Sequence, residues 1–234
     1  MIKKQIKTTK KVDKKVKKAI LKQIDEQIHN ADYWINRPID DPHKDWDYPG
    51  NWIEGYGQSH DHLHRRLILN NLKKLEPFDS LLELGCNCGP NLNLIQKKYP
   101  GINLAGIDVD ERVINKGKDE LRNIDFQVGN FVKLPWNTKQ FDVILADAVL
   151  MYLNKEEILQ CLDEIDRVVR KGVIIVDRFD KSLDGVRNGN VWARDYETLL
   201  KVRGWNVEKF KIKAIDWPNS IGWKKFGYVF IATK

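Results

Sequence analysis

Between about Ser59 and Asp180 the chain alternates short apolar runs with stretches of helical periodicity, and this rhythm restricts the fold more than any other feature. A helix is expected from roughly His60 to Leu75, leading into Leu81-Leu82-Glu83-Leu84. A helix over about Asn91–Lys98, the run Leu104-Ala105-Gly106-Ile107 and a helix near Glu111–Leu121 follow. Phe126-Gln127-Val128 and Phe141–Leu145 are the next strands, and a helix over about Lys155–Val169 precedes Val173-Ile174-Ile175-Val176. Strands of four to six apolar residues separated by helices belong to a parallel sheet covered on both faces. The end of the chain breaks this order. After a helix near Trp192–Lys201, the strand-like stretches Asn206–Ile215 and Phe226–Thr233 are joined only by a loop, Asp216–Lys225, holding Pro218 and Gly222. Two adjacent strands without a crossover helix form an antiparallel hairpin. The expected fold is therefore α/β, a doubly wound, mostly parallel seven-stranded sheet with an antiparallel C-terminal hairpin.

This domain is expected over residues 59–234, behind an N-terminal extension over 1–58. Val12, Val16, Ile20, Ile24 and Ile28 recur every fourth residue among lysines, the pattern of an amphipathic helix with one narrow apolar stripe. Tyr33, Trp34, Trp46, Tyr48, Trp52 and Tyr56 follow, punctuated by Pro38, Pro42 and Pro49-Gly50. Aromatics this dense cover either a ligand or a hydrophobic face, and a lid over an active site is the preferred reading.

The basic excess of the whole chain, 40 Lys and Arg against 33 Asp and Glu, is local. Residues 1–22 hold ten lysines and one acid, leaving 30 basic and 32 acidic residues elsewhere. Such an arm can recruit a polyanion, RNA or an anionic membrane surface, without bearing on chemistry. No apolar run reaches the ~18 residues of a membrane span, and the lysine-rich start lacks the apolar core of a secretory signal. Three cysteines, Cys86, Cys88 and Cys161, build no disulfide framework, and a cytoplasmic home is expected.

The sharpest motif is Leu81-Leu82-Glu83-Leu84-Gly85-Cys86-Asn87-Cys88-Gly89-Pro90-Asn91-Leu92. A buried strand ends at an acid, Gly85 makes the turn, and Gly89 opens the next helix; glycine lets a ligand approach the backbone closely. The pattern lacks the Gly-Lys-Ser/Thr of a P-loop and is not Gly-x-Gly-x-x-Gly. The next strand ends at Asp108, where a carboxylate can grip a ribose. The third ends in Gly129-Asn130-Phe131, an amide and a ring suited to an adenine edge and face. The fourth ends near Asp147. All lie at carboxyl ends of strands, where open α/β sheets bind ligands.

From Leu81 to Lys234 these residues resemble the class I S-adenosylmethionine-dependent methyltransferases, with their Rossmann-like fold. The resemblance implies that Glu83, Gly85 and Gly89, with the loop residues Cys86 and Asn87, surround the methionine part of S-adenosylmethionine. It implies also that Asp108 binds the ribose, that Val109, Asn130 and Phe131 line the adenine pocket, and that Asp147 borders the methyl-transfer site. Two departures stand out: Asn87 where the family often has glycine, and Asn130 where it commonly has aspartate.

A hydroxyl acceptor needs a base, whereas an unprotonated nitrogen needs mainly desolvation and orientation. Asp147, His60, His62 and His64 are the candidate bases, with Tyr152 as an orienting group. His60 and His64 stand at i, i+4, a spacing some metal sites use, but no third ligand is near in sequence. Asp147 and Asp177 occupy places where catechol-type methyltransferases hold a divalent ion, and Arg178 beside them discourages a cation. No metal is expected. The stretch Ala146-Asp147-Ala148-Val149 lacks the prolines of base-methylating DNA enzymes, and no Pro-Cys pair is present. The leading expectation is methyl transfer to a small-molecule or saccharide acceptor. The alternatives are an RNA methyltransferase tethered by its Lys-rich arm, a non-catalytic methyltransferase-like partner subunit, and a nicotinamide dehydrogenase, disfavoured by the glycine spacing and the terminal hairpin.

Overall fold

The computed structural model describes residues 30–41, 50–182, 185–188, 191–218 and 220–234. The expected helix over 12–28 and the aromatics Trp46 and Tyr48 lie outside the described residues. A short helix α1 (Asn30–Ile35) precedes α2 (Trp52–Gln58) and α3 (Leu63–Leu72). Then come β1 (Ser80–Leu84), α4 (Pro90–Lys98), β2 (Asn103–Asp108), α5 (Glu111–Glu120), β3 (Ile124–Val128) and β4 (Phe141–Asp147). The chain continues through α6 (Lys155–Val168), β5 (Val169–Arg178), β6 (Val186–Asn188), β7 (Val191–Ala193), α7 (Tyr196–Lys201), β8 (Asn206–Lys211), α8 (Ile221–Phe226) and β9 (Gly227–Thr233).

Seven strands form one sheet in the order β3-β2-β1-β4-β5-β9-β8, parallel from β3 to β5 and antiparallel at β9. The strand order reverses between β1 and its neighbours β2 and β4, so the ligand crevice of such a sheet opens at the ends of these three strands. Side chains alternate across the sheet as strand geometry requires. Leu81, Val143, Leu145, Ile174 and Val176 pack with α3, α4 and α5 on one face. Leu82, Leu84, Ile144, Ala146, Val173 and Ile175 pack with α6 and α7 on the other. Both faces are buried, which is why these strands read as unbroken apolar runs.

Three expectations need correction. The helix expected over His60–Leu75 is interrupted: Ser59–Asp61 is a 3₁₀ turn, His62 is extended (φ −58°, ψ 136°) and its ring caps α3 by accepting from the His64 N–H. Trp192 is not helical. It pairs with Arg187 in the β6–β7 hairpin, and the following helix begins only at Tyr196, where Asp195 accepts from the Thr198 N–H. The loop Asp216–Lys225 contains a helix, α8, capped by Ser220 and anchored by buried Trp223; β8 accordingly stops at Lys211. Among the described residues no helix is long and apolar enough to cross a membrane.

Candidate active site

The loop after β1 is shaped by two residues in the left-handed region, Gly85 (φ 67°) and Asn87 (φ 52°). The Gly85 and Cys86 N–H groups both donate to the Ile107 carbonyl, at 2.8 and 3.1 Å, folding the loop over the end of β2. A Cβ on Gly85 would run into Val149. The Asn87 N–H donates to Asp108 Oδ2 at 3.0 Å and the Asp110 N–H to Asp108 Oδ1 at 3.1 Å, so Asp108 ties its own loop to that of β1. Burial pushes the Asp108 carboxyl up to about 6 against these hydrogen bonds.

Beneath this loop lies a buried polar network. Asn91, on the first turn of α4, donates to Glu83 Oε1 at 2.7 Å and to Asp147 Oδ2 at 3.0 Å. The same Asp147 oxygen is 2.9 Å from His64 Nε2 and 3.7 Å from Arg65 Nη1. Arg65 reaches Asn91 Oδ1 at 2.6 Å and the Ser59 carbonyl at 2.7 Å. Burial pushes Glu83 up to about 8. Burial would raise Asp147 too, but the His64, Arg65 and Asn91 donors hold its carboxyl below the usual range. His64 is kept neutral because burial outweighs the pull of Asp147. Its Nδ1 faces His62 Nδ1, whose own affinity for a proton burial lowers to about 4. Two buried carboxylate oxygens, Glu83 Oε2 and Asp147 Oδ1, take no hydrogen bond within the protein. Such oxygens favour a ligand with positive charge or donors.

These groups open onto a cavity of about 970 Å³. Enclosed ligand sites run from roughly 300 to 1,000 Å³, so the space admits a nucleoside-sized molecule with a second small one. Asp108, Val109, Asn130 and Phe131 line it on the β2–β3 side. On the β4–β5 side stand Tyr152, Arg178, Trp217 and Trp223. Trp217 stacks on the His64 ring (4.2 Å between centroids) and on Trp223 (4.1 Å). The aromatic segment forms a further wall with Tyr33, Trp34, Trp52 and Tyr56. Trp34 meets Tyr152 edge-on at 5.2 Å, and Arg112 fixes the segment by donating to the Trp34 and Arg37 carbonyls.

Glu83, Gly85, Cys86, Asn87, Asp108, Val109, Asn130, Phe131, Asp147, His64 and Tyr152 thus share one cavity. Three expected residues do not join them: His62 stands behind His64, outside the lining, where its ring caps α3. His60 is exposed and stands outside the lining, because the break at His62 removes the common helix face with His64. Gly89 (φ 84°) also lies outside it: a Cβ there would meet Leu121 and Phe126 at 2.8 Å, so its small size serves helix–sheet packing. Cys86 borders the cavity but turns its sulfur towards Gly106, and burial raises its thiol far above the ordinary range. Asp177 gives its oxygens to the Met151 and Arg178 N–H groups. Sequence reasoning missed Asn91, Trp217 and Trp223 as site residues. Asn91 alone carried a local signal, its place on the first turn after the glycine loop.

A family model described as a methyltransferase domain matches residues 81–172. Malonyl-[acyl-carrier protein] O-methyltransferase 2 of Ilyobacter polytropus is 24% identical over 153 residues, covering 60% of this chain and 58% of that protein. Demethylmenaquinone methyltransferase of Thermotoga maritima is 24% identical over 113 residues, 48% of each. The chain spans about half the length of the curated relatives it matches. Among solved structures, the plantazolicin methyltransferase BpumL in complex with a triazolic desmethylPZN analog and SAH superposes with a TM-score of 0.60 at 15% identity. That alignment covers 92% of this chain and 98% of the other, a likeness of fold. The matched segment thus lies in a seven-stranded sheet whose strand order is that of the Rossmann-like methyltransferase fold.

Proposed function

We propose that the protein transfers the methyl group of S-adenosylmethionine to a small acceptor held inside the aromatic half of the cavity. The observation that carries this reading is the pair of buried, unpartnered carboxylate oxygens, Glu83 Oε2 and Asp147 Oδ1, at the switch point of the sheet. The residues fit the cofactor. Glu83 and Asp147 offer negative charge to its ammonium and sulfonium, Asp108 stands where the ribose hydroxyls need an acceptor, and Val109, Asn130 and Phe131 offer an adenine pocket. When bound, the sulfonium supplies an electrophilic methyl: the acceptor's lone pair forms the new bond to carbon while the carbon–sulfur pair returns to sulfur.

The protein's part is positional and electrostatic. Asp147 Oδ1 accepts the hydrogen bond of the acceptor's O–H or N–H and directs its lone pair. His64, neutral, and the Arg65 guanidinium, both on Asp147 Oδ2, fix that carboxylate. Tyr152 and Trp34 close the space around the acceptor, and Tyr33, Trp34, Trp52 and Tyr56 act as a lid. The enclosure supports a small metabolite over a polymer.

Calorimetry with S-adenosylmethionine and S-adenosylhomocysteine tests the cofactor assignment: both bind, and Asp108→Ala weakens each about tenfold, ~1.4 kcal/mol. Labelled cofactor incubated with fractionated cell extract tests the acceptor: label enters the small-molecule or saccharide fraction. Failure of both sulfur compounds to bind overturns the enzyme reading, and label confined to RNA overturns the choice of acceptor.

A further inference from the structure

We infer that the methyl acceptor carries an anionic group, a carboxylate or a phosphate, and that Arg178 receives it; this rests on the methyl-transfer reading above. Arg178 ends β5 opposite Gly227, directly below α8, and lines the cavity. Its guanidinium lies 5.8 Å from the centroid of the Trp223 ring. The Nε–H is buried and donates to no group of the protein. A desolvated guanidinium N–H without an acceptor is unfavourable, and planar two-oxygen anions match its fork.

The other cations of the wall are engaged differently. Arg37 pairs with Asp41 at 2.8 Å, and Arg65 is held by Ser59 and Asn91. Asp177, the acid next to Arg178, directs its two oxygens to main-chain N–H groups. Gly222 on α8 keeps the space: a Cβ there would lie 3.0 Å from Arg178 Nη2. Charge is thus divided along the crevice. Glu83, Asp108 and Asp147 mark the ends of β1, β2 and β4, suited to a positively charged donor. A cation marks the end of β5, suited to a negatively charged acceptor. The stacked Trp217 and Trp223 give the acceptor's body an aromatic surface beside that cation.

The test uses the full chain and three matched probes: 3-phenylpropanoate, phenyl phosphate and the neutral 3-phenylpropanamide. Each is titrated by calorimetry with and without saturating S-adenosylhomocysteine. At least one anion is expected to bind tenfold or more tightly than the amide, and the stronger of the two identifies the anion class. Arg178→Met erases the preference, Arg178→Lys retains part of it, and Gly222→Ala, which leaves the charge in place but crowds it, reduces it. The inference is overturned if neither anion binds, if the amide binds equally well, or if the preference survives Arg178→Met. Failure of S-adenosylhomocysteine to bind would instead strike the methyl-transfer reading, because the anion preference is read in its absence as well.

Discussion

His64 Nε2 lies 2.9 Å from Asp147 Oδ2, joining a helix that precedes the sheet to the end of its central strand β4. The contact decides how both groups are charged. Asp147 stays ionised in a buried place because His64, Arg65 and Asn91 converge on one of its oxygens, while the other takes no hydrogen bond within the protein. His64 stays neutral, clamped between Asp147 and the Trp217 face.

Removing the charge of Asp147 therefore has two separable effects. Asp147→Asn keeps the shape but not the charge, and turnover is expected to fall on the order of 10²-fold or more, the range for a lost proton-handling group. Both variants deprive buried Arg65 of its counter-charge, and breaking a buried charged pair costs roughly 3–5 kcal/mol of stability; Asp147→Ala also removes the acceptor of His64 and Asn91. Urea denaturation of the two variants separates these effects: a lower midpoint for Ala than for Asn is expected. Equal turnover in wild type and Asp147→Asn would remove Asp147 from the chemistry.

Stability of the free protein should fall as pH rises from about 6.5 to 8. Burial raises Glu83 to about 8 and Asp177 to about 7, so the folded state holds protons that the unfolded chain has already released. That contribution is complete below the ordinary carboxylate range and is lost as pH passes through the raised values. His62 and His64 are lowered on folding and act in the opposite sense, but only below about 6.5, where the unfolded histidines take up protons. Above that pH the acids act alone. The cationic cofactor favours ionised Glu83, so its affinity should rise over the same interval and level off above about 8. Thermal melts and calorimetry across pH 6–9 check both slopes, and Glu83→Gln should flatten the affinity slope and reduce the stability slope to the part due to Asp177.

The strands were legible because each central one is buried on both faces and so reads as an apolar run; Leu81–Leu84 and Val173–Val176 are examples. The turn at Gly85 and the acid Asp108 at the end of β2 were legible because each is demanded locally. Other parts carry no local signature. Arg65 and Asn91 meet across 26 positions, and nothing near either residue announces the partner. Pro218 and Gly222 read as a loop, yet Ser220 caps a helix there and Trp223 buries it on Trp217. The i, i+4 spacing of His60 and His64 misled because it presumes an unbroken helix, and the His62 ring caps a new one between them.

Gly85 and Gly89 have left-handed backbones of similar φ but face different neighbours, so alanine should act differently at each. Left-handed backbone costs a residue with a side chain roughly 1–2 kcal/mol at either position. At Gly85 the added methyl also strikes Val149, at the crevice, and loss of S-adenosylhomocysteine binding is expected to exceed the loss of stability. At Gly89 it strikes Leu121 and Phe126, between helix and sheet, and stability should fall with binding little changed in the molecules that remain folded. Paired denaturation and calorimetry on the two variants give the comparison, and identical behaviour would contradict the division of roles.

Arg112 is the hinge between the aromatic segment and the sheet domain. Its Nη1 and Nη2 donate to the carbonyls of Arg37 and Trp34, at 2.8 and 3.0 Å, while Asp110 grips the same guanidinium at the start of α5. Asp110 in turn follows Asp108 by two residues, so the segment covering the cavity is fastened beside the carboxylate assigned to the ribose. Arg112→Ala leaves the carbonyls of Trp34 and Arg37 without these donors, whereas Trp34 keeps its contacts with Tyr152 and Trp52. Amide hydrogen exchange over residues 31–41 should therefore quicken at least tenfold in the variant, with exchange in β1 and β4 unchanged. If the segment acts as a lid, the affinity for S-adenosylhomocysteine falls with it, mostly through faster release, since a looser cover opens more often without altering the groups beneath. Arg112→Lys restores a single donor and should recover part of the protection. Unaltered exchange over 31–41 would mean that the aromatic contacts alone hold the segment down.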